Sequence, residues 1–157
     1  MKIPSHHYTS ENLVADPGAI PLSHEQAGEG KTLLVVDDEP TIRELMAKVL
    51  CKEGYNVLQA DGATEALRLA TAATIHLLLT DFSMPGTDGL ELTRRFRAVY
   101  PKAPVLMVSG SLAVGLINRS DDLDRFGILE KPFAVGDLIR KVRTLLLEVS
   151  PVPLRKP

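Results

Sequence analysis

The sequence predicts an α/β fold, a parallel β-sheet covered by helices on both faces. Short apolar, β-prone runs alternate five times with stretches of helical period, and parallel strands need just such crossovers between them. Two of the runs, Thr32–Val36 and residues 75–80, are almost continuously apolar, as strands covered on both faces must be. The alternation is confined to residues 31–149 of the 157-residue chain, a length suited to one domain.

The strands are expected at Thr32–Val36, Asn56–Ala60, 75–80, 105–108 and 127–130. After the first, residues 41–52 place Ile42, Leu45, Met46, Val49 and Leu50 on one helical stripe, with Pro40 suited to the first turn and Gly54 just past the end. A second helix over 64–72 carries Ala66, Leu67 and Ala70. The third, over 90–100, carries Leu92, Phe96 and Val99, with Asp88 as its cap. A fourth is expected over 111–123, where Gly115 and mixed polarity weaken the pattern. The last, over 135–149, has the clearest stripe: Leu138, Ile139, Val142, Leu145 and Leu146.

Residues 1–30, rich in Pro and Gly and without sustained apolar period, read as a flexible extension, and 150–157, with Pro151, Pro153 and Pro157, as a tail. The charge balance, 18 Lys+Arg against 20 Asp+Glu, lacks the basic excess of a nucleic-acid binder. A single cysteine, Cys51, excludes an internal disulfide and a cysteine-based zinc cluster, so a reducing cytoplasm is the expected compartment. The longest uncharged stretch, 103–118, is 16 residues and holds Pro104, Gly110 and Gly115, short of the ~20 apolar residues of a membrane span. The N-terminus lacks the apolar core of a secretory signal.

In open α/β sheets ligands bind beyond the carboxyl ends of the strands. There the first strand leads into Asp37 and Asp38, the third into Asp81, the fourth into Ser109 and the fifth into Lys131. Singly, each has a plainer reading: a helix cap, a turn residue, a solvated lysine. Together, three carboxylates converging on one half-buried edge repel unless a cation lies among them. An all-oxygen acidic cluster suits a hard divalent ion, Mg²⁺ first. A hydroxyl and an ammonium opposite it would complete a cradle for a phosphoryl group.

Four strings carry a family resemblance: Val35-Val36-Asp37-Asp38-Glu39-Pro40, Thr80-Asp81-Phe82-Ser83-Met84-Pro85-Gly86-Thr87-Asp88-Gly89, Val108-Ser109-Gly110 and Glu130-Lys131-Pro132-Phe133. In order and spacing they resemble the receiver domain of two-component response regulators, over about residues 31–149. Asp38 to Asp81 is 43 positions, Asp81 to Ser109 is 28, and Asp81 to Lys131 is 50. The resemblance implies a flavodoxin-like (βα)5 doubly wound sheet of strand order 2-1-3-4-5. It implies that Asp81 accepts a phosphoryl group from the phosphohistidine of a histidine kinase. Asp37, Asp38 and Asp81, with the backbone carbonyl of Ser83, would ligate Mg²⁺. Ser109 would bind the phosphoryl group and move on activation, and Lys131 would pair with Asp81 or its phosphate, next to a Lys131–Pro132 bond that is often cis. One position departs from the pattern: the switch aromatic three residues before the lysine is Ile128, so readout through an inward-swinging ring is not expected. Phe126 is expected in the core.

The resemblance implies a sensor histidine kinase or phosphotransfer protein upstream and a protein target downstream. It admits a homodimer and calls for neither DNA nor membrane contact. The only expected chemistry is self-catalysed phosphoryl transfer and autodephosphorylation. The alternative is a receiver forming part of a larger DNA-binding or hybrid-kinase protein, although the flanks are too short for a helix-turn-helix. A dehalogenase-type phosphohydrolase would want an acid two residues after the nucleophile, where Ser83 stands. A P-loop around Gly30-Lys31-Thr32 would need Gly where Glu25 stands and a helix to follow. His6, His7 and His24 read as solvated.

Overall fold

The computed structural model describes residues 28, 30–110, 115 and 126–148. In chain order the elements are β1 (Thr32–Val36), α1 (Pro40–Lys52), β2 (Asn56–Ala60), α2 (Ala63–Ala72), β3 (Leu77–Asp81), α3 (Gly89–Val99), β4 (Val105–Ser109), β5 (Phe126–Glu130) and α4 (Val135–Leu147). All four strand pairings are parallel, in the order β2-β1-β3-β4-β5. The expected helix over 111–123, the extension and the tail lie outside the described residues, Gly28, Gly30 and Gly115 apart.

Alternation along the strands divides the core into two layers. Leu33, Val35, Leu77, Leu79, Leu106, Val108 and Leu129 face one side, where Met46 and Leu50 of α1 and Leu138, Val142, Leu145 and Leu146 of α4 cover them. Leu34, Val36, Leu78 and Val105 face the other, beneath Ala66 and Ala70 of α2 and Leu92 and Phe96 of α3. This is the period-2 geometry of a strand met by two helical faces. The central strands β1, β3 and β4 are buried on both faces, whereas β2 and β5 form the edges and are only partly covered.

Local sequence explains the helix ends. Pro40 occupies the first position of α1, where its fixed φ is preorganised and its missing N–H costs nothing. At the other end Gly54, at φ 89°, lets the chain turn back. The Tyr55 amide then bonds the Leu50 carbonyl at 3.2 Å and the Gly54 amide that of Cys51 at 3.1 Å, the paired bonds of a Schellman cap. The Asp88 carboxylate accepts the Glu91 amide at 2.9 Å, capping α3 as expected.

Several expectations need correction. The third strand begins at Leu77, and both β3 and β4 run one residue further than expected, so Asp81 and Ser109 are ladder residues; Asp81 pairs with Val108 and Ser109 with Glu130. A polar side chain does not end a strand whose backbone is still bonded to its neighbour. On α1, Leu45 is 43% exposed while Ala47 is buried, and on α3 Val99 is 50% exposed. Phe126 does pack against the second core layer, as expected, but stays partly buried at the sheet edge, with the Arg97 guanidinium 4.4 Å above its ring.

Candidate functional site

At the carboxyl edge of the sheet β1, β3 and β5 bring Asp37, Asp81 and Lys131 together. Asp37 follows β1 and is fully buried; Asp81 ends β3 and is 7% exposed. Lys131, which follows β5, reaches across β4: its Nζ lies 3.1 Å from Asp37 Oδ2 and 3.3 Å from Asp81 Oδ1. Its main-chain amide donates to the Ser109 carbonyl at 2.8 Å, which fixes the base of that reach. The Lys131–Pro132 bond is cis. Asp38 is exposed beside the pair, and one oxygen from each of Asp37, Asp38 and Asp81 lies within 4.8 Å of the others.

The electrostatics are those of a site with too many anions. Burial pushes the Asp81 carboxyl above the ordinary range; Lys131 pulls it down, and Asp37 and Asp38 add to the rise. For Lys131, burial works against the charge, but the bonds and attraction to Asp37 and then Asp81 outweigh it and hold the ammonium above its usual range. One ammonium cannot neutralise three carboxylates. A hard divalent ion fits this donor set, since the oxygens are close together and Asp38 opens the cluster to solvent.

Ser109 is buried, at the end of β4, one position beyond the partner of Asp81. A hydroxyl has one proton to give, and that of Ser109 donates to the Gly110 carbonyl at 3.1 Å. Ser83 is exposed in the loop after β3, which Gly86 turns at φ 79°. Ile128 lies in β5 opposite Met107 of β4 and is partly exposed.

The motifs leave two contributions unexplained, the steric role of Gly89 and the bond made by Arg43. Gly89, the first residue of α3, is pressed against the end of β3. A Cβ there would run into the Asp81 carbonyl oxygen and stand 2.8 Å from Met107 Sδ and 3.0 Å from Phe82 Cα. The Gly89 amide donates to the Phe82 carbonyl at 2.9 Å. Arg43, in the first turn of α1, donates from Nη1 to the Asp37 carbonyl at 2.7 Å. The signal for it in the sequence is a cation where the helix dipole favours an anion.

A sheet of this order with an acidic cluster and a lysine at its carboxyl edge defines a class, and the comparisons agree with it. The sequence profile of the response regulator receiver domain matches residues 33–143. The response regulator receiver protein CpdR of Brucella abortus is 33% identical over 117 residues, covering 74% of this chain and 98% of CpdR. The phosphate regulon transcriptional regulatory protein PhoB of Pseudomonas aeruginosa is 32% identical over 129 residues; 78% of this chain spans only 54% of PhoB. Among solved structures, the receiver domain of the hybrid histidine kinase CckA superposes with a TM-score of 0.64 at 33% identity, covering 73% of this chain and 98% of that one.

The chain belongs to the response regulator receiver domain family of two-component systems. Membership implies a histidine kinase or phosphotransfer protein as its partner. No helix among the described residues is long and apolar enough to cross a membrane.

Proposed function

We propose that Asp81 is the phosphoacceptor of a Mg²⁺-dependent phosphoryl transfer. The observation that carries this reading is the placement of Asp81 at 3.3 Å from Lys131, inside a cluster of three carboxylates. An Asp81 oxygen attacks phosphorus in line, the new O–P bond forms as the donor's bond to phosphorus breaks, and the leaving group departs with that electron pair. Lys131 turns from Asp81 to an equatorial phosphoryl oxygen while keeping Asp37 as its second partner. The Ser109 hydroxyl, on leaving the Gly110 carbonyl, is free to donate to another of those oxygens. A Mg²⁺ held by Asp37, Asp38, Asp81 and the Ser83 carbonyl would neutralise charge on acceptor and phosphoryl group alike.

No other chemistry is assigned to the chain beyond this transfer and hydrolysis of its product. The two added negative charges bias the surface around β4 and β5, and the output is a changed contact with a downstream protein or a second copy of the chain. Ile128 offers no ring to that switch, so Ser109 and the loop after Asp81 carry more of it.

Acetyl phosphate, as a small donor, tests the reading without a kinase. Intact-mass spectrometry should show one phosphoryl group added in Mg²⁺ and none in excess EDTA. A wild-type protein left unmodified in Mg²⁺, or modified equally in EDTA, contradicts it.

A further inference from the structure

By the helix dipole alone, the first turn of α1 is an unfavourable place for a cation. Partial positive charge gathers at that end of a helix, α1 has no acidic residue there, and Arg43 occupies its fourth position. What Arg43 gains is one short bond, from Nη1 to the main-chain carbonyl of Asp37 at 2.7 Å. That carbonyl belongs to the peptide plane joining Asp37 to Asp38, so holding it constrains ψ of the first and φ of the second.

The rest of Asp37 is already fixed. Its amide donates to the Ala60 carbonyl at 3.2 Å. Its Oδ1 accepts the Glu39 amide at 2.9 Å, and its Oδ2 accepts Lys131 Nζ at 3.1 Å. Asp38 is the opposite case: exposed, and without a hydrogen bond or ion pair to its carboxylate among the described residues. Only its backbone aims it, and Arg43 holds the plane from which that backbone departs.

We propose that Arg43 is a positioning residue of the cation site, orienting Asp38 toward Asp37 and Asp81 through the Asp37–Asp38 peptide plane. The proposal rests on the phosphoacceptor reading above. Arg43 lines an open cleft with Gln59, Asp61 and Glu65, outside both core layers, so replacing it removes no core packing.

The sign of the effect separates positioning from charge. A guanidinium near a cation site repels the cation, so if charge were its only influence, Arg43→Met would bind Mg²⁺ more tightly. If Arg43 aims Asp38, Arg43→Met binds it more weakly despite losing a positive charge. Isothermal titration of Mg²⁺ alone into the unphosphorylated full chain measures this, with thermal melts to check folding. Wild type should bind and Asp38→Ala should lose most of that binding. Arg43→Met should weaken roughly tenfold, the lower end of effects seen on removing groups that orient metal ligands. Arg43→Lys, which keeps the charge but loses the planar fork, should fall between wild type and Arg43→Met, and it decides the matter alone if Arg43→Met fails to fold. Arg43→Met equal to or tighter than wild type, or Arg43→Lys at wild-type affinity, overturns the proposal. A wild-type protein that binds no Mg²⁺ overturns the phosphoacceptor reading as well, which Arg43 variants that bind normally would leave standing.

Discussion

Lys131 serves two buried carboxylates at once, at 3.1 and 3.3 Å, and it cannot neutralise both. Asp81 bears the deficit. Its carboxyl titrates above the ordinary value of 3.8 because burial penalises the anion more than Lys131 favours it. A folded-state pKa above the unfolded one means the native protein holds that proton to a higher pH, so Asp81 lowers stability as pH rises through this range. Without Mg²⁺, Asp81→Asn should therefore stabilise the fold at pH 7 by roughly 0.5–2 kcal/mol, as functional-site substitutions that relieve such costs do. Lys131 keeps its Asp37 partner in that variant. The gain should shrink as pH falls toward 3.8, because the raised pKa lets wild-type Asp81 take up its proton before the unfolded chain does. Thermal melts in EDTA between pH 4 and 8 check it; a variant less stable than wild type at pH 7 shows that the pair with Lys131 outweighs burial. Lys131 contributes in the opposite sense: its raised pKa adds stability that is present below its usual 10.5 and is lost only as pH rises through the elevated value.

The helices set how closely these side chains can meet. Where α3 begins, Gly89 lets the helix lie on the Asp81 and Phe82 backbone. A methyl group there meets main-chain atoms, which cannot rotate away as a flexible side chain could. Gly89→Ala should cost about 1–3 kcal/mol and slow phosphoryl incorporation from acetyl phosphate, because the displaced atoms belong to Asp81, the proposed acceptor. A melt and a rate at wild-type values would show that α3 can shift without disturbing the site. On α1 the apolar stripe read from the sequence includes Leu45, yet the helix turns Met46, Ala47 and Leu50 inward and leaves Leu45 43% exposed. Contact with the sheet and with α4 together selects that face, and period alone cannot fix a helix's rotation to within one residue. Leu50→Ala should thus cost about 2–5 kcal/mol and Leu45→Ser no more than about 0.5 kcal/mol. Urea unfolding of the two variants measures the contrast, and equal losses would contradict this orientation of α1.

Across the molecule, what was legible in the sequence follows from locality. The alternation of apolar runs and helical stripes gave every described element, because burial on two faces leaves a local imprint. The strand order came through family resemblance; no periodicity distinguishes 2-1-3-4-5 from another order of the same strands. Asp37 and Asp81 stand out as acids at the ends of apolar strands, but their meeting with Lys131, 94 and 50 positions away respectively, exists only because β1, β3, β4 and β5 lie side by side. Arg43 and Gly89 act through a main-chain carbonyl and a close backbone approach, so residue type alone shows neither partner, and the turn of the Ser109 hydroxyl to Gly110 is equally invisible in the sequence. The central claim is chemical: one carboxylate of this fold, Asp81, becomes an acyl phosphate. Borohydride reduces an acyl phosphate of aspartate to homoserine, leaving a permanent mark at the modified residue. The most direct measurement is peptide mass spectrometry after treatment with acetyl phosphate, Mg²⁺ and then borohydride. The account predicts homoserine at position 81 in the wild type and at no aspartate in Asp81→Ala; homoserine at position 37 or 38, or an unmodified position 81 in a protein that has gained a phosphoryl group, contradicts it.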